Sequence, residues 1–93
     1  GKWKNKRDAN EAEIVDELRA HGFSVYPIDQ PLDLIAGYMG RNYLIEVKMP
    51  KGKLTPAQVE FLEGWRGSAN IIRSAEEATS FAMLVKGAPR LEE

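Results

Sequence analysis

The chain has 93 residues, 43% hydrophobic and 29% charged, enough for one globular domain that buries roughly 60–70% of the surface its unfolded chain exposes. It has no cysteine, which excludes disulfides and thiolate metal sites and leaves any metal to oxygen ligands or to the one histidine, His21; oxygen donors suit magnesium or manganese. A net charge of −1 and a pI near 5.9 do not advertise nucleic-acid binding, no apolar run nears the roughly 20 residues of a membrane span, and no signal-peptide pattern opens the chain, so an intracellular, cytoplasmic protein is expected.

The first residues form a basic arm, with Lys2, Lys4, Lys6 and Arg7 around Trp3. Such a cluster is either a footprint for phosphate or a set of solvated lysines, and Trp3 can stack on a base or dock on its own domain. Asp8 to His21 reads as an amphipathic helix, with Ile14, Val15 and Leu18 on one face and Gly22 as its stop. Asp8 serves as N-cap and Glu11 as its capping-box partner. Glu11 also shares the face of Val15 and Leu18, at i+4 and i+7, which aims its carboxylate inward. His21 sits at the helix end, where an imidazole suits the dipole better than a metal role. Phe23–Ile28 is a short strand, ended by Pro27 and the Asp29-Gln30-Pro31 turn.

Leu32–Tyr38 and Arg41–Met49 are two further strands, and Met39-Gly40 between them marks a tight hairpin. Tyr38 and Tyr43 flank it, placed to face a nucleic acid or to pair across the strands. The loop after Met49 adds Lys51 and Lys53 to Lys48 as a second basic group. Thr55-Pro56 opens a helix with threonine at the N-cap and proline at N1, where the missing N–H costs nothing. It runs through Val59, Leu62 and Trp65 to Gly67, with Phe61 and Trp65 expected in the core and Gln58 as a capping-box partner. Ala69–Arg73 is a fourth strand, Ser74-Ala75-Glu76-Glu77 opens a last helix towards Phe81 and Leu84, and residues 87–93 form a tail. The order α-β-β-β-α-β-α predicts a single α/β domain, a mixed sheet packed by helices.

A two-residue turn at Met39-Gly40 makes paired residue numbers sum to 79, and Asp33 then lies opposite Glu46. Lys48 projects from the face that carries Glu46. Opposed carboxylates roughly 5 Å apart destabilise a sheet, by about 3 kcal/mol at an effective dielectric of 20, and a divalent cation between them reverses that sign. A turn at Gly40-Arg41 would instead give a sum of 81 and set Asp33 against Lys48, an ordinary cross-strand ion pair. Periodicity alone does not choose between the two registers.

The acids do not stand alone. Arg7-Asp8-Ala9-Asn10-Glu11, Asp33-Leu34-Ile35-Ala36-Gly37-Tyr38, Tyr43-Leu44-Ile45-Glu46-Val47-Lys48, Leu54-Thr55-Pro56-Ala57-Gln58, Trp65-Arg66-Gly67 and Ser74-Ala75-Glu76-Glu77-Ala78 follow one another in this order. From about Arg7 to Phe81 the chain resembles the PD-(D/E)XK nuclease superfamily, and more narrowly its small stand-alone virus-type replication-repair nuclease (VRR-NUC) domains, relatives of Holliday-junction resolvases. Glu-x-Lys alone is a weak signal; with the preceding Asp and the following Thr-Pro-x-Gln it is a fairly strong one. The sequence departs from the family in placing Leu32 between Pro31 and Asp33, where proline usually precedes the acid directly, and in the shortness of the Pro50–Lys53 loop.

The resemblance implies a restriction-endonuclease-like α-β-β-β-α-β core and a magnesium- or manganese-dependent endonuclease acting on DNA, with junctions or other branches as favoured substrates. It implies Asp33 and Glu46 as metal ligands with the Val47 carbonyl as a third. Lys48 would orient or deprotonate the attacking water or stabilise developing charge, Glu11 would sit in the metal's outer shell or on a second ion, and Gln58 would help place the water or the lysine. Backbone phosphates would fall to Lys51, Lys53, Arg66 and the Lys2–Arg7 arm. Two symmetric cuts in a four-way junction need two active sites, hence a homodimer. Two other readings stand beside this one: a DNA-binding module of the same fold without activity, and a partner-binding domain that touches no nucleic acid.

Overall fold

The computed structural model describes residues 7–87, so the expectations for Lys2, Trp3, Lys4 and Lys6 and for residues 88–93 of the tail lie outside it. The elements are α1 (Glu11–Ala20), β1 (Ser24–Pro27), β2 (Leu34–Tyr38), β3 (Arg41–Val47), α2 (Pro56–Gly64), β4 (Ala69–Ile72) and α3 (Ala75–Gly87). This is the order read from the sequence, with several boundaries moved. Helix α1 begins at Glu11 instead of Asp8, and its N-cap, Asn10, makes no side-chain cap bond. The expected Asp8–Glu11 capping box is therefore absent: the Glu11 carboxylate is taken by Arg7, four residues earlier, and the Asn10 amide by carbonyls distant in the chain. Helix α2 ends at Gly64 rather than Gly67, and Trp65 is already extended at φ −78° and ψ 126°.

Strands β2 and β3 pair antiparallel with Tyr38 opposite Arg41 and Leu34 opposite Ile45, the register in which numbers sum to 79. Met39 and Gly40 have φ of 51° and 80°, the positive values that both central residues of a type I′ turn require. Strand β1 pairs antiparallel with β2, and β4 lies parallel to β3, so the described strands form one mixed sheet in the order β1-β2-β3-β4. A parallel neighbour needs a crossover, and α2 is that crossover.

Alternation along the strands sorts the two faces. Val25, Leu34, Ala36, Ile45, Val47 and Ile72 pack with Ile14 and Leu18 of α1 and with Ala78 and Ala82 of α3. Phe23, Tyr38, Tyr43 and Phe81 extend this core as an aromatic cluster, with Phe23 stacked on Tyr38 at 4.8 Å and Tyr43 edge-on to Phe81 at 5.5 Å. The tyrosines thus pack inward. The opposite face carries Ile35 on β2 and Leu44 and Glu46 on β3, continuing to Lys48.

Helix α2 buries no residue completely. Phe61 and Trp65, expected in the core, instead stack on each other at 5.2 Å, and Trp65 is 45% exposed. A helix that only bridges two parallel strands has no need of a fully apolar stripe. His21 takes the helix-end role: it is the C-cap of α1, with Nε2 3.2 Å from Glu17 Oε2 and Nδ1 3.4 Å from Lys86 Nζ. No described helix is long and apolar enough to cross a membrane.

Candidate metal centre

The site grows from the point where the β2–β3 ladder ends. Asp33 lies one residue before β2 and is held on both sides: its carbonyl accepts the Ile28 N–H at 2.8 Å and its N–H donates to the Ile45 carbonyl at 3.1 Å. That second bond is offset by one residue from the ladder, so the strict Asp33–Glu46 opposition expected from the register is loosened at this end. The side chain restores the closeness. Asp33 Oδ2 accepts the Val47 N–H at 2.9 Å, which draws the carboxylate across to the strand that carries Glu46.

Glu46 is only 4% exposed. Burial pushes its carboxyl up from 4.5 to about 7, and the Asp33 charge pushes the same way. Lys48 opposes this; a hydrogen bond with Asp33 and the more distant Asp8 charge add to it. Burial and the neighbouring Asp33 thus both favour the protonated form of Glu46. Asp8, assigned from sequence to a helix cap, thus adds negative charge to the site.

Two polar side chains complete the inner arrangement. Lys48 Nζ is 3.8 Å from Glu46 Oε2, and both side chains are largely buried. Gln58 Nε2 donates to the same oxygen at 2.7 Å. The capping box fixes that amide: Gln58 Oε1 accepts the Thr55 N–H at 2.9 Å and the Gln58 N–H donates to Thr55 Oγ1 at 3.2 Å. With its oxygen committed to the helix start, only the NH₂ is left for Glu46. The capping role and the site role of Gln58 are one structure.

Around these groups runs a supporting layer. Arg7 donates from Nε to Glu11 Oε2 at 2.8 Å and from a terminal nitrogen to the Asp33 carbonyl at 2.9 Å, and it lies 3.7 Å from Asp29. Arg7, expected in the DNA-binding arm, thus braces the backbone of Asp33. Glu11, expected at the metal or near it, has its carboxylate on Arg7, which in turn reaches the Asp33 carbonyl.

Asn10 is buried, and its Nδ2 donates to the carbonyls of Lys48 at 3.1 Å and Arg73 at 2.8 Å. It thereby ties the start of α1 to the ends of two adjacent strands. Arg73 in turn donates to the carbonyls of Met49 at 3.0 Å and Gly52 at 2.6 Å and so folds the lysine loop. Neither Asn10 nor Arg73 stood out in the sequence. Their partners lie 38, 63, 24 and 21 residues away, and no local spacing encodes that.

Among the described residues no three acidic or histidine side chains come together as a ligand set. The donor chemistry still fits a hard divalent ion. Two carboxylates that repel each other in a buried place, next to a strand end with its carbonyls, match a magnesium ion that keeps several waters and takes one or two protein carboxylates. Lys51, Lys53 and Arg66 are exposed, as contacts to a phosphate backbone require. No protein-family model matches the chain, and no curated protein or solved structure does either.

Proposed function

We propose that the chain is a metal-dependent DNA endonuclease with a restriction-endonuclease-like core, akin to the small VRR-NUC domains of the PD-(D/E)XK superfamily. The observation that carries the reading is the buried Glu46 carboxyl, held beside Asp33 and touched by Lys48 and Gln58. A structural carboxylate at that position has no evident use: burial and Asp33 both penalise its charge. The sequence motifs that carry the resemblance also support it, and the α/β fold with its mixed sheet and flanking helices is compatible with it.

In this reading Asp33, Glu46 and the Val47 carbonyl hold magnesium or manganese. The ion, when bound, lowers the pKa of a water and neutralises charge on the phosphodiester. Lys48 orients that water or accepts its proton, or balances charge on the phosphate, from a position within reach of Glu46. Gln58 keeps Glu46 oriented, and Lys51, Lys53 and Arg66 bind the backbone without reading bases. Branched or junction DNA is the proposed substrate, with a homodimer supplying paired cuts.

The test is magnesium-dependent nicking of plasmid and of labelled branched DNA. Asp33→Ala and Glu46→Ala are each expected to abolish cleavage while leaving a folded protein, with Asp33→Ala melting lower because it strips the buried Val47 N–H of its acceptor. Cleavage retained in either variant would remove the catalytic assignment. Binding without cleavage in the original chain would favour the inactive DNA-binding module, and no binding in EDTA would favour the partner-binding reading.

A further inference from the structure

Trp65 is an exposed aromatic that the fold nevertheless holds still. Its ring stacks on Phe61 at 5.2 Å. On another side, a Cβ added at Gly67 would meet the indole Nε1 at 2.9 Å and Cε2 at 3.3 Å, so the ring lies directly over a position that only glycine leaves open. An indole kept in place by two neighbours yet 45% exposed has the form of a stacking platform.

That platform is one wall of a groove of about 370 Å³ whose lining includes Pro31, Ile35, Asn42, Leu44, Trp65 and Ser68. The groove is apolar with hydrogen-bonding side chains, Asn42 and Ser68, among its walls, the composition that suits the face and edge of a heterocycle. It also continues the candidate metal centre. Ile35 is two residues from Asp33 and Leu44 two from Glu46 on the same strands and the same face, which places them roughly 7 Å along the sheet. Arg66, exposed and next to Trp65 in the chain, supplies positive charge for a phosphate at this end.

We infer that the groove receives one unpaired nucleobase of the DNA strand whose phosphate lies at the Asp33–Glu46 pair. The inference deepens the nuclease reading and rests on it. A base can lay its face on the indole only where no neighbouring base covers that face, so the base that enters the groove has left its stack. Extruding a base is least costly where it is already unpaired. The groove therefore selects branch points, flaps or single strands over continuous duplex.

The test uses the full chain in EDTA, so that binding is read without cleavage. With Trp3→Phe as background, Trp65 is the only indole left of two. A short oligothymidylate is expected to quench its fluorescence, and a fully paired duplex of equal length is not. Trp65→Ala should weaken oligothymidylate binding about five- to a hundredfold, Trp65→Phe should restore most of it, and Gly67→Ala should weaken it by displacing the indole. Equal quenching by duplex, or unchanged affinity in Trp65→Ala and Gly67→Ala, overturns the inference. Quenching that follows protein concentration and not oligonucleotide assigns the groove to a second copy of the chain and overturns it too. If the oligonucleotide effects hold while magnesium-dependent nicking is absent, the base site stands and the nuclease reading falls.

Discussion

Glu46 concentrates the chemistry of the site in one titration. Its carboxyl is raised from 4.5 to about 7 in the folded protein, first by burial and then by Asp33. The folded state therefore holds this proton more tightly than the unfolded chain does. Between pH 4.5 and 7 the unfolded chain gives the proton up while the fold keeps it, so stability falls as pH rises through that window and is level above it. Urea midpoints in EDTA, measured from pH 4.5 to 8, are expected to show this decline, and Glu46→Gln is expected to flatten it. In the proposed reading magnesium would compete with the proton for the same oxygens, and it should then raise the midpoint more at pH 8 than at pH 5. A flat profile in the original chain would show that Glu46 ionises freely.

The first helix and the hairpin decide where those residues go. Asn10 joins α1 to β3 and β4 through two bonds from one amide, and its acceptors are the carbonyls of Lys48 and Arg73. Removing the donor leaves two partly buried acceptors unmet, which costs about 1–3 kcal/mol for each. Asn10→Ala is thus expected to lower stability by about 2–4 kcal/mol, read from urea unfolding; a loss under 1 kcal/mol would mean that water replaces the amide at both carbonyls. The hairpin turn offers the opposite outcome. Met39 holds a φ of 51°, a region costly for most side chains and tolerated by asparagine. Met39→Asn should raise stability by about 0.5–1 kcal/mol without shifting the register, as thermal melting and amide-proton spectra would show.

At the scale of the whole molecule, a net charge of −1 is compatible with DNA binding only if cations gather on one side. Lys51, Lys53 and Arg66 stand exposed on the loop and helix end that follow Glu46 and Lys48 in the chain, while Arg7 is drawn inward to Glu11 and Asp33. Binding carried by few phosphate contacts should weaken steeply with salt, by about tenfold or more between 50 and 200 mM. Lys51→Ala and Lys53→Ala should each reduce the slope of log affinity against log salt by about 1, with Arg7→Ala acting on stability instead. Affinity that does not change with salt would place any DNA contact outside this basic group.

The sequence by itself determined the element order, a tight hairpin around Gly40 and the Thr55–Gln58 cap, because each depends on residues a few positions apart or on strict alternation; between the 79 and 81 registers it did not choose, and the pairing of Tyr38 with Arg41 in the folded sheet did. It also brought forward Asp33, Glu46, Lys48 and Gln58 as one group. Only the tertiary structure decided how that group is held. The helix start at Glu11, the Arg7 brace, the Asn10 tie and the Arg73 fold of the lysine loop all join segments distant in the chain, and local propensity at Asp8–Glu11 pointed to a capping box that those bonds displaced. Trp65 shows the same limit: its apolar character suggested a core, and only packing against Phe61 and Gly67 shows it held at the surface.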